Sequence, residues 1–396
     1  MLIAGEPPPL PPEDVAHSAR VAAHIHGLIE ANGGWLPFSR FMEAALYAPG
    51  LGYYMADRVR FGAEGDFVTA PELSPLFVAC LADCLAELLA RTGGGDIVEF
   101  GAGSGIAAAF LLVGLERRGA LPRRYRIVEV SPDLARRQQW FFGRWPGLAA
   151  FRDRIEWLRA PPPEPWQGIA FGNEVVDAMP IERFRVRGDG CEALGVVVDG
   201  PGFAWRPGPA DAALHDAVAA IQARLPEPMP DGYVSECRPA LPAWLQGAAG
   251  GLRQGALLFI DYGLPRAQYY HASRDGGTLC GFRRHRRVDD ALATPGVQDL
   301  TAWVDFSALA DAGAGCGLRV GGFATQAHFL ISLGIDRHLA QAQEGRELRD
   351  RLKLQQDAAS LMLPGEMGER FKAIALARGL DGTLPGFSFR DLRESL

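Results

Sequence analysis

Lysine is nearly missing from this chain: Lys353 and Lys372 are the only two, so almost all of the 40 basic side chains are arginine. With 48 Gly and 29 Pro, this bias follows a GC-rich coding sequence more simply than any recognition chemistry. Net positive charge is also missing. A formal charge of −7 argues against a general nucleic-acid binder and is compatible with cationic substrates, although solubility alone asks for the same balance. No run of eighteen apolar residues occurs, so no membrane insertion is expected. The N-terminus carries Glu6, Glu13, Asp14 and the tract Pro7-Pro8-Pro9-Leu10-Pro11-Pro12, which is neither a signal peptide nor a basic transit peptide, so the chain as written reads as bacterial and cytoplasmic. Cys80, Cys84, Cys191, Cys237, Cys280 and Cys316 form no C-x-x-C pair and have no histidines at ligand spacing, which argues for reduced thiols and against a metal. His285 has no G-x-S-x-G elbow to serve, which removes the Ser-His-Asp hydrolase reading.

What is present begins with Ile97-Val98-Glu99-Phe100-Gly101-Ala102-Gly103-Ser104-Gly105, followed by Tyr125-Arg126-Ile127-Val128-Glu129. An unbroken apolar run is the pattern of a parallel strand buried on both faces, and the glycines let a ligand's ribose approach the backbone beyond it. Glu129 closes the next strand 24 positions after Gly105, where a carboxylate accepts hydrogen bonds from both ribose hydroxyls. Gly103-Ser104-Gly105-Ile106-Ala107-Ala108 also fits the dinucleotide pattern G-x-G-x-x-A, so NAD competes at this point. Glu99 favours the other cofactor. It would repel a pyrophosphate and suits an ammonium and a sulfonium, the charges of S-adenosylmethionine.

Amphipathic spacing predicts helices over 15–31, 38–47 and 74–91. From 96 to about 180, strands at 96–100, 125–130, 155–158 and 168–174 alternate with helices at 104–118 and 132–143, the rhythm of a parallel sheet covered on both faces. A β-meander over 181–206, a helix at 210–224, a strand at 232–237 and a helix at 239–252 come next, and the sheet resumes at 256–263. A loop-rich stretch, a helix from about 307, a strand near 318–325 and charged C-terminal helices complete the chain.

Ligands of open α/β sheets lie at the carboxyl ends of the strands, and Glu99, Glu129, Asn173, Glu174 and Asp261 each close an apolar run. Turn-capping explains any one of them as well as function does, and the set less well. In Asn173-Glu174-Val175-Val176-Asp177-Ala178-Met179-Pro180, Asn173, Glu174 and Asp177 are candidates to face an acceptor atom, and a carboxylate there matches a guanidinium bidentately. Glu236 is a further candidate carboxylate, or a helix-dipole charge. The run Arg283-Arg284-His285-Arg286-Arg287 reads as a solvated loop rather than a nucleic-acid contact, and Asp305 as a helix N-cap.

These motifs, in this order, are joined by Gly52-Tyr53-Tyr54, by Gly65-Asp66-Phe67-Val68-Thr69-Ala70-Pro71-Glu72-Leu73-Ser74, by Gly277-Thr278-Leu279 and by Asp299-Leu300-Thr301-Ala302-Trp303-Val304-Asp305-Phe306. The whole set resembles the mitochondrial complex I assembly factor 7 and bacterial MidA-type family of class I S-adenosylmethionine-dependent methyltransferases, over about residues 35–335. The resemblance implies an α/β, Rossmann-like sheet with helices on both faces, an N-terminal helical cap and inserted β-meander and helical segments. For the mitochondrial members it implies symmetric dimethylation of an arginine in a core subunit of NADH:ubiquinone oxidoreductase. It also brings Asp66, Thr69 and Pro71 to the cofactor, beside Glu99, Gly101, Ala102, Gly103, Gly105, Glu129 and Asn173. Trp303 stands where the family commonly has histidine, so no role is carried over to it. The implied layout is a disordered lead (1–14), a cap (15–73), the methyltransferase core (74–180 and 232–263), an inserted meander and helix (181–231), a loop-rich substrate and cofactor region (264–335) and C-terminal helices (336–396). An assembly chaperone that keeps the fold and works by binding its client is the alternative, and a NAD-dependent oxidoreductase the third.

Overall fold

Five consecutive buried residues, Asp96–Phe100, form the first strand of the main sheet, β1. It pairs in parallel with β2 (Tyr125–Val128) on one side and, through a later return of the chain, with β4 (Trp166–Asn173) on the other. The computed structural model describes residues 7–56 and 69–396 and divides the chain into two compact units.

The unit built from Val68–Val176, Pro242–Gly263 and Phe306–Leu396 holds this sheet. Beyond β2 lies β3 (Ile155–Leu158), and beyond β4 lie β5 (Leu252–Leu264), then β7 (Phe371–Arg378), with β6 (Arg319–Thr325) at the edge. The pairs among β1 to β5 are parallel, whereas β7 runs antiparallel to both β5 and β6. The chain leaves β1 toward β2 and comes back at β4, so the strand order reverses there and the crevice beyond their carboxyl ends is the expected ligand position. Close strand approach needs glycine at the other end. A Cβ on Gly168 would stand 2.0 Å from the carbonyl oxygen of Asp96. Around the sheet pack α1 (Pro75–Arg91), α2 (Ile106–Arg117) and α3 (Pro132–Arg144), whose apolar faces share one core with Ile97, Ile127, Phe171 and Leu258. Ser74 and Ser131 cap α1 and α3, each hydroxyl accepting from a backbone N–H of the first turn.

The C-terminal stretch departs from the all-helical expectation. Phe371–Arg378 is a fully integrated strand between two others, although its Ala, Leu, Lys and Arg content favours helix. Burial on both faces of a sheet selects for small apolar residues here, and Ala373, Ile374, Ala375 and Leu376 are all 1% exposed or less.

The other unit comprises the described residues of Met1–Phe67 with Asp177–Leu241 and Leu264–Asp305. Its first helix begins at Pro12, so residues 12–14 are helical rather than part of a lead: proline is tolerated in the first turn, where its missing N–H costs nothing. The meander is a four-stranded antiparallel sheet in the order Gly202–Pro209, Gly190–Asp199, Glu182–Arg187, Val234–Cys237. The Trp35 ring lies against two of these strands, where a Cβ on Gly195 or Gly208 would come within 2.4 or 2.6 Å of it. The stretch read as loop-rich contains a second, three-stranded sheet of short strands, Arg286–Val288, Cys280–Arg283 and Asp299–Thr301.

Candidate active site

From β1 the chain enters the glycine turn and then α2. Gly101, Gly103 and Gly105 have φ of 63°, 54° and 83°, the left-handed region that side chains disfavour. A Cβ on Gly101 would also lie 3.2 Å from Val175 Cγ2. Hydrogen bonds from Gly105 N to Ala102 O (2.8 Å) and from Gly101 N to Val128 O (3.1 Å) close the turn over the ends of β1 and β2, with Ala102 buried.

Two buried carboxylates flank it. Glu99 is 3% exposed, and its Oε2 accepts from Tyr125 Oη at 2.7 Å. Burial pushes its pKa up to about 7; the tyrosine hydrogen bond works against the rise and the charge of Glu129 adds to it. A carboxylate so placed is destabilised when ionised and gains from a cation. Glu129 follows β2 directly, its Oε1 accepting from Ser131 N (2.9 Å) and its Oε2 from Gln138 Nε2 (3.1 Å). Both sit in the unit of the main sheet with Gly101, Ala102, Gly103, Gly105, Asn173 and Glu174.

Asn173 ends β4, and Glu174, the next residue, has φ 53° although it is not glycine. That conformation costs about 1 kcal/mol or more and persists only where surroundings enforce it. Here Glu174 N donates to Ile260 O at 2.9 Å, and Asn173 Nδ2 donates to Glu174 Oε1 at 2.9 Å. Asn173 Oδ1 is buried and has no partner among the described residues. Asp261 anchors the following residues, its Oδ2 accepting from Val176 N at 3.0 Å. Thr69 and Pro71 start the short helix Ala70–Leu73, which packs against α2 of the same unit. Asp66 lies outside the described residues.

Asp177 and Glu236 belong to the other unit. Asp177 Oδ2 accepts from Thr301 Oγ1 at 2.8 Å, and its carbonyl accepts from Arg238 Nη2 at 3.0 Å. Arg238 also donates to the carbonyls of Ala302 (2.5 Å) and Trp303 (2.7 Å), which fixes the Trp303 backbone. Glu236 is fully buried. Its Oε1 takes Tyr269 Oη (2.7 Å), Thr278 N (2.8 Å) and Thr278 Oγ1 (2.7 Å), and its Oε2 has no partner among the described residues. A Cβ on Gly277 would fall 1.9 Å from that oxygen, which is why glycine precedes Thr278. Asp305, read as a cap, lies 3.4 Å from Arg266 Nε in a buried ion pair. The basic run is a hairpin: Arg283 pairs with Arg286, and Arg284 and His285 form a two-residue turn with φ 49° and 60°.

Residues overlooked at the level of motifs are Tyr125, Gln138 and Trp157, which orient the two carboxylates and the glycine turn. An apolar strand that carries a tyrosine or tryptophan needing a partner was the available signal for two of them; Gln138 left none.

A buried carboxylate at the end of β2, a left-handed glycine turn and a second carboxylate ready for a cation fit a nucleoside carrying positive charge and do not fit a pyrophosphate. With a sheet ordered β3-β2-β1-β4-β5-β7-β6, they define a class I S-adenosylmethionine-dependent methyltransferase. Comparison agrees with this: residues 80–324 match the model of a family of S-adenosyl-L-methionine-dependent methyltransferases. A COG1565 superfamily member from Burkholderia thailandensis, crystallised with S-adenosyl-homocysteine, superimposes with a TM-score of 0.89 at 40% identity over 98% of this chain and 100% of that one. Protein arginine methyltransferase NDUFAF7, mitochondrial, is 29% identical in Danio rerio over 89% of this chain and 85% of the relative. The Homo sapiens protein of that name is 28% identical over 89% and 82%. The chain belongs to this methyltransferase family, the NDUFAF7 and MidA group, and its cofactor is S-adenosylmethionine. Among the described residues no helix is long and apolar enough to cross a membrane.

Proposed function

We propose that this enzyme methylates a guanidino nitrogen of a protein arginine, to the symmetric dimethyl product, on a core subunit of NADH:ubiquinone oxidoreductase or a bacterial counterpart. In this reading Glu129 takes the ribose hydroxyls and Glu99 the ammonium. The backbone of Gly101, Ala102, Gly103 and Gly105 lies against the nucleoside, with Thr69, Pro71, Asn173 and, on the resemblance, Asp66 around it. When bound, S-adenosylmethionine supplies a methyl group that its sulfonium has already made electrophilic.

The observation that carries the acceptor assignment is Glu174: a non-glycine residue held at φ 53° by its own N–H and by Asn173, at the carboxyl end of β4 where strand order reverses. Its carboxylate binds the guanidinium by charge-assisted hydrogen bonds and draws positive charge toward the nitrogens it faces. The remaining nitrogen then keeps a lone pair for attack, and Glu174 is the base to receive the proton released. Asn173 Oδ1 offers one more acceptor. Asp177 and Glu236 have supporting roles within their own unit, holding Thr301 and Thr278. The six cysteines are all free, in keeping with a reducing compartment such as a cytoplasm.

The test is methylation of the purified client subunit with labelled cofactor, read by mass spectrometry of its arginines, for wild type and Glu174→Gln. Loss of methylation by at least about 100-fold with client binding intact is the expected result. Undiminished methylation by Glu174→Gln overturns the assignment of Glu174. If Glu174→Gln restores complex assembly in cells lacking the enzyme while transferring no methyl group, the protein works by client binding instead.

A further inference from the structure

Gln138, in the middle of α3, is fully buried and joins three parts of the main-sheet unit. Its Nε2 donates to Glu129 Oε2 at 3.1 Å and to the Gly103 carbonyl at 3.0 Å, and its Oε1 accepts from Trp157 Nε1 at 3.0 Å. The orientation of this amide follows from chemistry. An indole nitrogen only donates, so oxygen must face Trp157; the NH2 group is then left for a carboxylate and a carbonyl, which only accept. Turning the amide over would set oxygen against two oxygens and N–H against N–H. Both amide hydrogens are committed, one to the acid after β2 and one to the turn after β1. The stem of the same side chain lies under the turn: a Cβ on Gly105 would stand 3.4 Å from Gln138 Cγ.

We infer that Gln138 is the positioning residue of the ribose seat, locking the Glu129 carboxylate and the Gly103 backbone into one rigid geometry before the cofactor arrives. This rests on the reading that Glu129 takes the ribose hydroxyls. Pre-organisation raises affinity by removing the ordering cost from the binding step, and for this residue the effect passes only through groups that meet the ribose. Trp157, exposed only in part, sets the amide and so acts one step further out.

The experiment is calorimetric titration of the full chain with S-adenosylhomocysteine and with its 2′,3′-dideoxy analogue. Wild type, Gln138→Met, Trp157→Phe and Glu129→Ala are compared, with thermal unfolding of each. Gln138→Met keeps the volume and removes the amide, leaving the buried Glu129 carboxylate and the half-buried Gly103 carbonyl and Trp157 indole without that partner. Its S-adenosylhomocysteine affinity is expected to fall roughly 10- to 100-fold. Affinity for the dideoxy analogue is expected to fall less than about threefold, because that ligand lacks the hydroxyls the seat serves. Trp157→Phe, which only loosens the amide, gives the same pattern with a smaller loss and keeps the test available if Gln138→Met does not fold. Equal losses for both ligands in Gln138→Met or Trp157→Phe would mean ordinary structural damage and overturn the proposal, as would no loss in either. If Glu129→Ala binds both ligands as wild type does, the underlying reading of Glu129 fails; if Glu129→Ala discriminates between them and Gln138→Met does not, only the role of Gln138 fails.

Discussion

If Glu99 takes the cofactor's ammonium, as proposed, cofactor binding should release a proton and strengthen with pH. The Glu99 carboxyl is held at a pKa of about 7 by burial, against an ordinary 4.5, and among the described residues only Tyr125 Oη favours the charged form. An ammonium beside it returns the bound-state value to the ordinary range or below. With those two values, affinity for S-adenosylhomocysteine falls about tenfold from pH 8 to pH 6, and binding at pH 6 releases about one proton. Titration calorimetry in two buffers of different ionisation enthalpy reads both quantities. Glu99→Gln should bind more weakly at pH 8 and with no pH dependence, and Tyr125→Phe should move the midpoint upward.

The same group makes a second, opposite statement about the ligand-free protein. A carboxyl whose folded pKa lies above its unfolded value contributes stability that is complete below pH 4.5 and is lost as pH rises through about 7. Glu99→Gln should therefore stabilise the free protein at pH 8, by at most about 3 kcal/mol from the difference between the two values, while costing it affinity. Thermal unfolding with and without S-adenosylhomocysteine separates the two effects. Wild-type affinity that is flat between pH 6 and 8, or a tenfold dependence that survives in Glu99→Gln, would refute the placing of the ammonium.

Two further outcomes probe packing. Lys372 is buried on β7 with its Nζ donating to the Glu369 carbonyl, and burial lowers its pKa to about 8. A base with a depressed folded pKa is least favourable while protonated, so Lys372→Met should raise stability at pH 7 by about 1 to 3 kcal/mol. That gain should shrink as pH rises from 8 toward 10.5 in denaturant melts; a gain independent of pH would contradict it. In the meander, a Cβ on Gly208 would meet three Trp35 ring atoms at 2.6, 2.7 and 2.9 Å. Gly208→Ala is expected to cost about 1 to 3 kcal/mol by overpacking, and much less in a Trp35→Ala background. Additive losses in that double-mutant cycle would show the ring is not the obstacle.

How much of this was legible beforehand depended on whether the signal was local. The strand, turn and helix around Gly101–Gly105 announce themselves because a doubly buried strand needs an unbroken apolar run and a left-handed turn needs glycine, and both lie within nine residues of chain. Helix limits were read to within a few residues where a capping serine or a proline in the first turn marked them, as at Ser74 and Ser131. Strand β7 was not legible: its alternation of Ala with Ile and Leu is good helix composition, and only its neighbours in the sheet make it extended. The carboxylate partners were hidden for a different reason. Asp177 meets Thr301 across 124 positions, and Glu236 meets Thr278 across 42. No spacing rule reaches that far.

Gln138 shows where this limit matters for function. Glycines and acids that touch a ligand recur in patterns because the ligand imposes the same chemistry each time. A residue that orients them is constrained only by the space left between α3, β3 and the turn, and here a single amide satisfies a carboxylate, a carbonyl and an indole together. A different helix register would ask for a different residue at a different position. The groups proposed to bind are therefore readable from the chain, while the groups that decide how firmly they are held appear only once β1, β2, β3 and α3 have been brought together.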